Sequence, residues 1–216
     1  MRPRRHLYIS LSLLMFSLLL ASSAFANTVT MHYLGGTGGG SDPVYPYRFH
    51  INNSPTVTNL MCDSFNNSVR IGESWTATVT PFLQGTGLFG ATTSLDYKAA
   101  GLIFKSMLGK TLTASQAQWS IWGLFAADAT KQSTFKNLGA GAIDTEYLAL
   151  AANAKNSAFS GLVLYTPVAG TQAWTQGGLP QEFIGYSAVP EPSSLILLGT
   201  GLIGLAGTMR RKFTKG

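Results

Sequence analysis

The sequence predicts an α+β fold, on three observations. Segments rich in β-branched and aromatic residues, in rough alternation with polar ones, fill the early part of the central region. Three stretches of helical character follow, and two strand-like segments close the region. That order, in a chain of 216 residues with no internal repeat, fits one α+β domain with an ordinary buried core.

The elements are justified in order from the amino terminus. Residues 1–26 combine a basic head (Arg2, Arg4, Arg5), an apolar run and the small pair Ala24 and Ala26. These are the three parts of a secretory signal, read by a signal peptidase, with Asn27 as the first mature residue. An exported domain over 27–188 follows. "NTVTMHYLG", "YPYRFHI" and "SWTATVTPF" read as strands, the first two separated by the flexible loop "GGTGGGSDP". "SLDYKAAGLIFKSMLG" reads as a helix, and "TASQAQWSIWGLFAAD" as a second with Thr113 as its N-cap. "GAIDTEYLALAANAKN", rich in alanine, reads as a third that starts near Asp144. "SGLVLYTPV" and "QEFIGYSAV" return to strand pattern.

The carboxyl end is a second address. Residues 193–209 carry no charge and would reach roughly 26 Å as a helix, near the lower limit for a membrane span. Arg210, Arg211 and Lys212 follow at once and hold that end in the cytoplasm, because moving them across a bilayer is costly. Pro190, Glu191 and Pro192 stand immediately before the span, where two prolines keep the backbone extended and open to an enzyme. This order, over residues 189–216, resembles the PEP-CTERM sorting signal of Gram-negative bacteria. The resemblance implies cutting near the triplet by an exosortase-type membrane protease, a transient tether in the inner membrane, and a producer that makes an exopolysaccharide matrix. The final location would be the cell surface or the extracellular matrix.

Charge narrows the possible partners. The net charge of +6 resides in the two ends, since acidic and basic residues balance between Asn27 and Ala188. A nucleic-acid face is therefore not expected. Ordinary catalysis is not expected either. Gly109-Lys110-Thr111 lacks the earlier glycine of a phosphate loop, and Ser133-x-x-Lys136 has no Lys-Thr-Gly partner. His32 and His50 find no further ligand at metal spacing, so neither a metal nor another cofactor is expected. The chain reads as a non-enzyme.

Two residues stand out in the central region. Cys62 is the only cysteine in a protein bound for an oxidising space, where it cannot form an internal disulfide. Gln118 shares a helical stripe with Ile121, Trp122 and Phe125, and an unpaired amide buried there costs on the order of 1–3 kcal/mol. Something should pair with it.

Cys62-Asp63-Ser64-Phe65, Tyr97-Lys98-Ala99-Ala100 and Gln118-Trp119-Ser120-Ile121-Trp122 together resemble the Cys-Gln thioester domains of bacterial surface adhesins. The resemblance covers about residues 59–127, with Ser120 where that family carries alanine. It implies a bond from Cys62 sulfur to the Gln118 side-chain carbonyl, shielded by Trp122 and supported by Asp63 and Tyr97, for permanent attachment to another surface. Read without the resemblance, the same residues fit a structural domain with a buried cysteine that binds carbohydrate or matrix non-covalently through Tyr and Trp faces.

Overall fold

The computed structural model describes residues 27–38, 43–172, 178–187 and 199–201. The expected signal peptide lies outside the described residues, as do Pro190, Glu191, Pro192 and the Arg210–Lys212 cluster. Of the expected span only Gly199–Gly201 is described, and it is helical. Among the described residues no helix is long and apolar enough to cross a membrane.

The chain begins with four strands: β1 (Asn27–Thr37), β2 (Val44–Ile51), β3 (Val57–Cys62) and β4 (Ser74–Pro81). A small hairpin follows, β5 (Thr86–Gly87) with β6 (Gly90–Ala91). Then come α1 (Leu95–Leu108), α2 (Ala114–Phe125), α3 (Ala127–Lys131), α4 (Ser133–Asn137), α5 (Ala140–Asn153) and a 3-10 turn at Asn156–Phe159. β7 (Leu162–Pro167) and β8 (Phe183–Tyr186) complete the order. Six strands close an antiparallel barrel in the spatial order β1-β2-β3-β8-β7-β4, with β4 returning to β1. Closure leaves these strands no free edge, and a barrel this small is filled by its own side chains.

Alternation along the strands decides what faces inward. Met31 and Tyr33 on β1, Phe49 on β2, Leu60 and Cys62 on β3, and Trp75 and Ala77 on β4 are buried in one cluster with Phe183. The rings interlock: Phe49 lies 4.8 Å from Phe183 and 5.8 Å from Trp75 between centroids, both edge to face. Such pairs add about 0.5–1.5 kcal/mol each beyond their buried area.

The helices form a layer on the outside of this barrel, and α2 is its centre. Thr113 caps it as expected, and the capping box is complete. Gln116 N–H donates to Thr113 Oγ1 at 3.2 Å, and Thr113 N–H donates to Gln116 Oε1 at 3.1 Å. Every residue from Ala117 to Trp122 is buried. Trp119 and Trp122 join the barrel cluster, while Ala117 and Ile121 join the cluster of α1 and α5. A helix buried on both sides carries no polar face, so the predicted stripe captures only part of its contacts.

Three expectations need correction. Five α-helices, not about three, stand between Leu95 and Asn153, because α3 and α4 are single turns too short to show a period. The third expected helix starts at Ala140, not near Asp144. Gly139 breaks the chain there at φ +66°, and Asp144 sits in the second turn, buried. β3 is a strand that the alternation did not reveal, because its last three residues are all buried.

Candidate functional site

Cys62 is the last residue of β3, paired with Phe183 of β8, so its side chain enters one mouth of the barrel. α2 packs on β2 and β3 and brings Gln118 and Trp122 against it. The Gln118 side-chain amide donates to the Cys62 carbonyl oxygen at 2.5 Å. Gln118 Oε1 is buried without a hydrogen-bond partner. The Trp122 indole N–H points at Cys62 Sγ at 3.5 Å, and the Ser64 N–H points at the same sulfur at 3.4 Å.

Aromatic rings wall off the sulfur. Phe65 lies 5.3 Å from Trp122 and 5.7 Å from Trp119, and the two tryptophans stand 5.1 Å apart and nearly perpendicular. Burial pushes the Cys62 thiol pKa well up, and the nearby Asp63 carboxyl adds to this. The hydrogen bonds from Trp122 and Ser64 oppose it without cancelling it. The group is held as a thiol, so it would react by losing its proton during attack rather than as a resting thiolate. A small cavity of about 110 Å³ touches Trp122, bounded by Tyr33, Tyr47, Phe65, Asn67 and Gln181.

A second layer of polar groups lies beside the first. Asp63 and Glu182 are fully buried and their carboxyls face each other. Glu182 accepts three hydrogen bonds: from Tyr97 Oη at 2.6 Å, Thr166 Oγ1 at 2.6 Å and Leu88 N–H at 2.9 Å. Asp63 accepts from Ser64 Oγ at 3.0 Å, while its Oδ2 meets no donor. Two carboxylate oxygens cannot face one another in a dry site unless a proton lies between them. Desolvation raises the Asp63 pKa well above the carboxylate range, and the Glu182 charge raises it further. Asp63 therefore keeps its proton. Tyr97 is likewise pushed up by burial and by these two neighbours. Gly87 is required here, since a Cβ at that position would fall 2.1 Å from the Tyr97 hydroxyl oxygen.

The structure thus brings together Cys62, Gln118, Trp122, Asp63 and Tyr97, the five residues singled out in the sequence. Glu182 was missed. It lies far down the chain with no spacing signal, and its only mark is an acidic residue at the head of an otherwise apolar strand. His32 and His50 prove to be cross-strand neighbours with ring centroids 6.4 Å apart. His32 Nδ1 is engaged with Ser74 Oγ at 2.8 Å. Among the described residues no three His, Cys, Asp or Glu side chains group to hold a metal.

Comparison with known families decides one point. Residues 188–212 match the PEP-CTERM protein-sorting motif. The chain carries a PEP-CTERM sorting signal. That motif implies export, with processing by exosortase, a membrane protease, on the way to the cell surface. Its match begins directly after Ser187, one residue beyond β8, so the barrel is the body to which this signal is attached. No curated protein and no solved structure matches the chain.

Proposed function

We propose that this PEP-CTERM protein is an adhesion or exopolysaccharide-associated protein that holds an internal thioester between Cys62 and Gln118. The observation that carries the reading is the Gln118 carboxamide, seated on the Cys62 carbonyl at 2.5 Å with its own Oε1 unpartnered. A buried amide oxygen with no donor costs about 1–3 kcal/mol, which offsets the hydrogen bond that its nitrogen makes to the Cys62 carbonyl.

The chemistry balances. Cys62 Sγ attacks the Gln118 side-chain carbonyl carbon, and the S–C bond forms as the C–N bond breaks. The thiol proton leaves with the nitrogen as ammonia. The product is an acyl group activated toward nucleophiles and kept from water by Trp122, Trp119 and Phe65. An amine on another surface then displaces the sulfur and forms an amide. The thiol regains a proton from that amine. One such event per molecule makes the domain an anchor and not a turnover catalyst. The cavity beside Trp122 supports an approach for that nucleophile. Asp63, Glu182 and Tyr97 tie β3 and β8 to α1 and the β5–β6 hairpin, and so fix the strand end that carries the thiol.

Methylamine tests the reading. Protein purified from its producing cell should take up one methylamine, recovered on the peptide that contains Gln118. Cys62→Ala should take up none. Equal labelling of both proteins, or of neither, contradicts the proposal.

A further inference from the structure

The barrel has a second mouth, at the end away from Cys62. There β1, β3 and β7 begin and β2, β4 and β8 end, and the space between them opens into a cavity of about 1150 Å³. This exceeds the roughly 300–1,000 Å³ usual for a small-molecule site, so it has room for more than one ring of a ligand.

Its chemistry is selective. Thr28, Thr58, Gln84 and Asn156 line it together with apolar side chains such as Val29 and Ile51, and Tyr165 and Tyr186 form aromatic walls. None of the lining residues is Asp, Glu, Lys, Arg or His. Hydroxyls and carboxamides both donate and accept hydrogen bonds, which suits a ligand that also does both. A charged ligand would enter without a counter-ion and lose its hydration, which is costly. A neutral molecule with hydroxyls for these polar groups and apolar ring faces for the tyrosines and the aliphatic wall matches both parts of the lining. Tyr186 is 41% exposed and stands ready at the rim, whereas Tyr165 lies within.

We infer that this mouth binds a neutral oligosaccharide chain. The site is separate from the Cys62–Gln118 pair, and it gives the carbohydrate-binding expectation a place in the fold. Non-covalent hold at one mouth and a covalent bond at the other are compatible.

The test uses protein purified from its producing cell, presented to an array of neutral and acidic oligosaccharides, with palmitate as an apolar control. The expected result is binding of neutral glycans that strengthens from one sugar to four, with acidic glycans at least about tenfold weaker. Tyr186→Ala and Gln84→Ala should each weaken it by about tenfold, with near-UV circular dichroism confirming the fold. Should one variant fail to fold, the other carries the test. Cys62→Ala, which cannot form a thioester, separates the two proposals, since glycan binding there stands or falls by the second mouth alone. No neutral glycan bound, palmitate or acidic glycans preferred, or affinity indifferent to both substitutions would overturn the assignment.

Discussion

The Tyr97 hydroxyl donates to Glu182 Oε1 at 2.6 Å, joining the first turn of α1 to the residue before β8 across 85 positions of sequence. The same hydroxyl accepts from the Phe89 N–H at 3.1 Å, which ties the β5–β6 hairpin into the contact. One oxygen thus links helix layer, hairpin and barrel.

Tyr97→Phe should cost about 1–3 kcal/mol, because it leaves a buried carboxylate oxygen and a backbone N–H without their partner. Gly87→Ala should cost at least as much, its Cβ falling within 2.1 Å of that hydroxyl oxygen. The double variant should lose less than the sum, since the phenylalanine removes the atom that collides. Urea unfolding of all three proteins measures this, and strict additivity would mean that the two residues do not touch.

Stability should fall as pH rises from about 4 to about 7. Burial raises the Asp144 pKa from 3.8 to about 7, opposed by a hydrogen bond from Ser120. The folded state therefore binds this proton more tightly than the unfolded chain. Its contribution is complete below the unfolded value and is lost as pH climbs through the folded one. Asp63, also raised, adds a slope of the same sign. Asp144→Asn should flatten the Asp144 part of that slope. Denaturant midpoints across that pH range decide it, and a slope unchanged in Asp144→Asn would contradict the assignment.

Removing Pro190, Glu191 and Pro192 should trap the protein in the inner membrane, because the sorting protease loses its recognition element. Fractionation with an antibody to the barrel reads this directly. An unchanged yield outside the cell would count against sorting through the matched motif at 188–212.

Gln118→Ala should destabilise the fold by about 1–3 kcal/mol by leaving the buried Cys62 carbonyl unpaired, even where no thioester is in question. After denaturation its Cys62 should react fully with a thiol reagent. The wild-type thiol should stay blocked until a nucleophile opens the bond.

The parts legible in the sequence were those fixed by local chemistry. Thr113 and Gln116 announce the start of α2 by their spacing, and alternation marks β1, β2 and β4. The oddity of Gln118 among large apolar residues pointed to a partner, and that partner is the Cys62 backbone. Barrel closure was not legible, because the β3–β8 and β4–β7 pairings join segments far apart in the chain and leave no periodic trace. Glu182 escaped for the same reason. Its role comes from Asp63, Tyr97 and Thr166, which only the closed barrel brings to it.

The most direct test of the central claim is the intact mass of the purified, denatured protein. It should fall short of the value for the processed sequence by one ammonia, and Cys62→Ala should show no deficit. A full-mass wild type, with Cys62 free to label, would contradict an internal bond between Cys62 and Gln118.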